Sequence, residues 1–177
     1  MGQYWKPVNL DKREYINPHK LGVGLKLCEQ VCSHPGTGAA LLILCAAMPE
    51  VRGGGDLDLD ENWHGTERVF PEHNLCPGPL SEGYRAIAHR TIGRWAGDRI
   101  AIVGDYAEDT DLAPEHRAST IYGRCVKREE LSADDPGDAM LINLGLYTDI
   151  TNDVLKVIEH ELGGSFSKPD WGFTYHG

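Results

Sequence analysis

Apolar residues in this chain come in short dense runs, separated by long polar stretches rich in glycine and proline. Near the start, "GQYWKPVNLDKREYINP" sets Tyr4, Trp5 and Val8 before Leu10-Asp11-Lys12, and Tyr15 and Ile16 after it. Aromatic and β-branched residues on both sides of a polar turn predict a β-hairpin over residues 3–16. Pro7 lies inside the first run and predicts an edge or bulged strand, because proline donates no ladder hydrogen bond. In "GLKLCEQVCSHPG", Leu21, Leu25, Cys28 and Cys32 recur at helical spacing until Pro35 and Gly36 stop them. Thr37 then stands where a cap is needed for "GAALLILCAAM". Alanine favours a helix there, with a buried strand over residues 41–44 as the alternative.

Residues 49–83 show no periodicity and are dense in Gly, Pro, Asp and Glu. They predict one long loop or lid insertion, since structureless segments of that length are usually functional. The stretch "TIGRWAGDRIAIVGDYAEDTD" follows, after a few residues. Gly97-Asp98 reads as a turn, and Ile100, Ala101, Ile102 and Val103 predict a strand buried on both faces and central in the sheet. Gly104 permits a bend or close packing at its end, and Asp105, Glu108, Asp109 and Asp111 come next. "AMLINLGLY" predicts a second core strand. "DITNDVLKVIEHELGG" is the strongest helix signal, with Thr151 as cap and Val154, Leu155, Val157, Ile158 and Leu162 along one side. The aromatic tail (Phe166, Trp171, Phe173, Tyr175) predicts docking rather than a loose end. Strands and helices do not alternate regularly. The expected fold is therefore α+β over residues 1–177 as a single domain: a mainly antiparallel sheet with two or three helices packed on one face and one long loop insertion.

Charge narrows the classes of partner. With 27 acidic against 17 basic residues the net charge is −10, and no Lys/Arg cluster stands out. Nucleic acid and anionic membrane surfaces are disfavoured, whereas a small cation or a basic protein surface suits this balance. The five cysteines are odd in number and no signal segment opens the chain, which predicts reduced thiols in the cytoplasm. The longest apolar run, "AALLILCAAM", is about half of the roughly 20 residues a membrane span needs.

Complete catalytic motifs are missing. Asp56, Asp58 and Asp60 occupy alternate positions suited to a divalent cation, but Glu61 stands where a calcium loop turns on glycine. They remain a candidate for an irregular metal site. His160-Glu161 begins a zinc-protease pattern that Gly164 fails to complete, and Cys28 and Cys32 have no second cysteine pair. "HPGTGAA" lacks the Lys-Ser/Thr of a phosphate loop, and no G-x-S-x-G elbow exists. The remaining concentration of chemistry lies around the predicted strand at residues 100–103, where a rigid element delivers side chains to a loop.

Two blocks, "YWKPVNLDKREY" and "WAGDRI" with the "GDYA" that follows it, resemble a family of uncharacterised conserved proteins met as hypothetical proteins in microbial and viral genomes. The matching blocks cover about a fifth of the chain, and no activity is established for that family. The resemblance implies that Trp5, Trp95, Asp98, Arg99 and Asp105 belong to a shared core. The expected function is binding of a small ligand or protein, in a regulatory role, at an acidic site after the central strand. Its residues are Trp95, Asp98, Arg99, Asp105 and Tyr106. The alternatives are a metal-assisted hydrolase or transferase with carboxylate ligands, using Asp98 and Asp105 with Asp56, Asp58, Asp60 or His64 from the lid, and a structural subunit that assembles through the hairpin edge.

Overall fold

A computed structural model describes residues 3–21, 27, 36–47 and 82–162. Strand β1 (Trp5–Asn9) turns into β2 (Glu14–Tyr15), and α1 (Pro18–Leu21) follows. Next come α2 (Thr37–Cys45), α3 (Glu82–Thr91) and β3 (Ile100–Gly104). The chain then passes through 3-10 turns at Asp109–Asp111 and Pro114–His116 into α4 (Ala118–Arg124). After α5 (Pro136–Leu144) and β4 (Thr148–Asp149), α6 (Thr151–Leu162) closes the described part. Helices and a four-stranded sheet make the fold α+β, as expected.

The predicted hairpin forms, with Val8 opposite Tyr15 and Asn9 opposite Glu14. Its turn is set by the Asn9 side chain, which accepts from the amides of Asp11 (3.0 Å) and Lys12 (2.8 Å). An asparagine carbonyl that mimics a backbone acceptor fixes a tight turn locally. Arg13 takes a left-handed conformation (φ 54°) to complete it.

Strand order departs from expectation. It is β3-β1-β2-β4, so β1 is internal and β3 is at the edge. Pro7 fits an internal strand because of alternation in the ladder. Leu10 N donates to Arg99 O and Asp105 N to Tyr4 O, so Lys6 and Val8 carry the intervening bonds to β3. Pro7 therefore turns its nitrogen toward β2, which ends just there, and only its carbonyl is used, by Ile16 N at 3.1 Å. The sheet is also mixed: β1 pairs antiparallel with β2 and β3, whereas β4 runs parallel to β2.

Helices cover both faces, not one. On one face Ile16, Trp95, Ile150, Val154, Val157 and Ile158 bury together with Leu21, Ile43 and Leu44, and Ile100 packs against them. On the other, Val8, Tyr15 and Val103 pack with Ile121, Cys125 and Tyr147. Neighbouring residues of each strand thus feed opposite layers, as the two-residue period requires. The four residues 100–103 looked uniformly buried in sequence. In the fold only Val103 is buried and Ile102 is 37% exposed. An apolar run reads the same whether its outer side meets a strand or only a loop, and here it meets a loop.

The predicted helices over residues 37–45 and 151–162 both form. Thr151 supports α6 from its first residue: its hydroxyl accepts from Asn17 N at 2.8 Å and donates to Asp149. "AMLINLGLY" is not a strand; most of it belongs to α5. Asp135 caps that helix by accepting from Gly137 N and Asp138 N, and Pro136 fills its first position, where no amide donor is needed. Helix α3 was unanticipated, and it absorbs residues 82–83 of the expected loop; residues 49–81 lie outside the described residues, as do Cys28, Cys32 and the aromatic tail.

Helix α2 ends against the turn that follows α3. Gly93 N donates to Ile43 O (2.8 Å) and Trp95 N to Leu44 O (2.7 Å), so two carbonyls orphaned at the helix end are satisfied. Gly93 has φ 72° and lies so close that a Cβ would stand 2.6 Å from Ala46 O. This docking seats Trp95 in the core, 1% exposed.

Two buried cations bind the second layer. Lys6 donates to Cys125 O at 2.6 Å, at the end of α4, and lies 4.2 Å from the Tyr122 ring centre. Arg124 donates to Leu144 O (2.9 Å) and Gly145 O (2.7 Å) at the end of α5, 5.0 Å from the Tyr147 ring. Each places positive charge where helix carbonyls leave partial negative charge.

Candidate functional site

Strand β3 presents chemistry at both of its ends. At the N-terminal end the hairpin turn and the Arg94–Arg99 segment interlock charge by charge. Arg94 forms a fork with Glu14, through Nε to Oε2 at 2.9 Å and through its terminal nitrogen to Oε1 at 2.6 Å. The Trp95 indole donates to the same carboxylate at 2.9 Å. Asp98 Oδ2 accepts from Asn9 Nδ2 (2.7 Å) and Lys12 Nζ (2.5 Å), and Lys12 also reaches Arg94 O. Arg99 holds Asp11 through its backbone amide at 2.7 Å and its guanidinium at 2.6 Å.

Electrostatics follow that geometry. Lys12 and Asn9 hold the Asp98 carboxyl below its ordinary pKa, and Arg99 does the same for Asp11. Burial pushes Glu14 upward, but the Arg94 and Trp95 hydrogen bonds together outweigh it and leave a net lowering. The hairpin residues 9–14 and the segment 94–99 are joined here.

A different arrangement stands at the C-terminal end. Asp105 N donates to Tyr4 O at 3.0 Å, and Tyr4 N donates to Asp105 Oδ1 at 3.2 Å. Glu108 and Asp111 cap one another around a 3-10 turn, with Glu108 N donating to Asp111 Oδ2 at 2.9 Å. Asp109 accepts from the amide and hydroxyl of Ser119 (3.0 and 2.7 Å), which lowers its pKa. Among the described residues none of these four acids forms an ion pair with Lys or Arg.

The segment after β3 then doubles back, with Ala107 and Leu112 packed against the second layer. Asp111 and Leu112 lie beside Gly104, and His116 reaches the other end of the strand, with Nε2 3.4 Å from Arg99. Between strand and returning segment lies a groove of about 290 Å³. Trp5, Ile102 and Gly104 line it from the sheet, Tyr106, Ala107, Asp111, Leu112 and Ala118 from the chain after β3, and Gln3 from the residues before β1. Gly104 makes room for it: a methyl there would meet the Trp5 ring at 3.3 Å and the Gln3 amide closer still. Ile102 and Tyr106, at 37% and 63% exposure, are two of the four large apolar side chains left exposed among the described residues.

The five residues expected to form one site are thus divided. Trp95 is sealed in the core, and Asp98 and Arg99 are engaged in pairs at one end. Asp105 and Tyr106 lie beyond the other end, separated from them by a strand about 17 Å long. Only Tyr106 lines the groove. Asp111 belongs to the acids expected after the strand, whereas Gln3, Trp5 and Leu112 were not expected there, since their convergence depends on Trp5 pairing with Gly104 and on the direction taken after Asp105. Asp56, Asp58, Asp60 and His64 lie outside the described residues, among which no group of three His, Cys, Asp or Glu could hold a metal ion. Cys125 is no candidate nucleophile: burial pushes its thiol up to about 12 despite the nearby Lys6 and Arg124.

No family model, no curated protein and no solved structure matches this chain. No helix of the described residues is long and apolar enough to cross a membrane.

Proposed function

We propose that this chain is a small-ligand-binding, regulatory domain whose site is the groove between β3 and the returning segment. One observation carries the reading: at this end of the strand a concave surface brings exposed apolar side chains together with the Asp111 carboxylate, which lacks an ion pair among the described residues. Ligand sites commonly combine apolar walls with a few convergent polar groups. A volume of about 290 Å³ suits a compact metabolite. The interlocked charges at the opposite end serve to hold the hairpin, and thereby Trp5, in register with Gly104. Among the described residues Cys45 and Cys125 are free thiols, which supports placing the protein in the reducing cytoplasm.

A ligand screen by thermal shift, followed by NMR of the Trp5 indole, tests this. Binding should raise the melting temperature and move the Trp5 resonance, and Tyr106→Ala should reduce both effects at a given ligand concentration without lowering the stability of the free protein. Ligands that stabilise the protein equally in wild type and Tyr106→Ala would place the site elsewhere.

A further inference from the structure

We infer that the groove takes a small alkylated ammonium, a conclusion that rests on the small-ligand reading above. Two aromatic side chains, Trp5 and Tyr106, line it, and the one carboxylate on its wall is Asp111; neither Lys nor Arg lines it. From residue 100 to 116 the sequence holds five carboxylates and a single histidine as its only basic residue. Together they favour positive charge at the mouth.

The kind of cation follows from the lining. Calcium and magnesium need about six or more oxygen ligands, and here the Asp111 carboxylate, the Gln3 amide and the Tyr106 hydroxyl are the side-chain oxygens. A strongly hydrated ion would lose its water without replacement. An ammonium clothed in methyl or methylene groups is weakly hydrated, so it gains from apolar walls, from aromatic faces and from one carboxylate at once. The ligand is a free small molecule, not a peptide segment. A groove of about 290 Å³ holds a compact molecule and not an extended strand of peptide.

The test compares choline with its uncharged isostere 3,3-dimethylbutan-1-ol by titration calorimetry and NMR of the full chain. Choline should shift the Trp5 indole and bind at least tenfold more tightly than the alcohol. Tyr106→Ala and Asp111→Asn should each weaken choline by about threefold to tenfold. Asparagine keeps an acceptor for Glu108 N, and Tyr106 is exposed, so both variants retain the fold. Equal binding of alcohol and choline at Trp5 would overturn the ammonium class and leave the groove as a site. Tighter binding of a trimethyl-lysine peptide than of choline would overturn the small-molecule assignment. Silence of both probes at Trp5 refutes the inference, and a silent general screen would remove the underlying reading as well.

Discussion

The two ends of β3 carry similar numbers of acidic side chains and use them in opposite ways. At the N-terminal end Asp11, Glu14 and Asp98 each meet a cation, and the partners come from the hairpin on one side and residues 94–99 on the other. Those pairs join segments 80 or more residues apart and secure the strand register. At the C-terminal end Asp105, Glu108, Asp109 and Asp111 are held by amides and a hydroxyl, so their negative charge is retained and projected. A neutralised acid builds structure. One that is positioned but not neutralised keeps its field available to a ligand.

The largest effect that would break this contrast is expected at Glu14. Glu14→Ala leaves the buried Trp95 indole without its acceptor and Arg94 without its counter-charge, and should cost about 3–5 kcal/mol in denaturant unfolding. A loss below about 1 kcal/mol would show that the fork is ornamental. Gly104→Ala probes the other end. The added methyl meets the Trp5 ring at 3.3 Å and should cost about 1–3 kcal/mol while closing the groove, seen as loss of ligand-induced thermal shift.

Acid sharpens the comparison further. Folding lowers the pKa of Glu14, Asp11 and Asp98, so their stabilisation is complete above an ordinary carboxyl value such as 4.5 for Glu14 and is lost as pH falls through the lower folded values. The melting temperature should therefore drop below about pH 4.5, and Glu14→Gln should flatten that dependence. Asp98→Asn should lower the melting temperature only slightly, because its partner Lys12 is 43% exposed. The smallest change is expected for Glu108→Gln, within about 0.5 kcal/mol and toward greater stability. That gain should vanish in about 0.5 M salt, since it arises from relief of like-charge repulsion.

Much of the local structure could be read from the residues, and the reasons are local too. The hairpin was visible because Asn9 and the polar turn act within a few positions of each other. Helix α6 was visible because Val154, Val157 and Ile158 repeat on one face over twelve residues. Helix α5 was misread as a strand although its start was written in Asp135-Pro136; the apolar run after it outweighed the cap and the first-turn proline. The site was only half visible. The Trp95–Arg99 segment looked functional because it concentrates charge and an aromatic, but those groups are consumed by partners from the hairpin.

Residue order fixed which segments turn, which form helices and where negative charge accumulates, since each depends on neighbours within about one helical turn. Only the tertiary fold decided that β1 lies inside the sheet with β3 at its edge, that helices cover both faces, and that among the described residues Asp98 meets a cation while Asp111 does not. The reason is physical: strand order and charge pairing are contacts across long stretches of chain, and the same apolar run or the same aspartate satisfies local rules equally well in either setting.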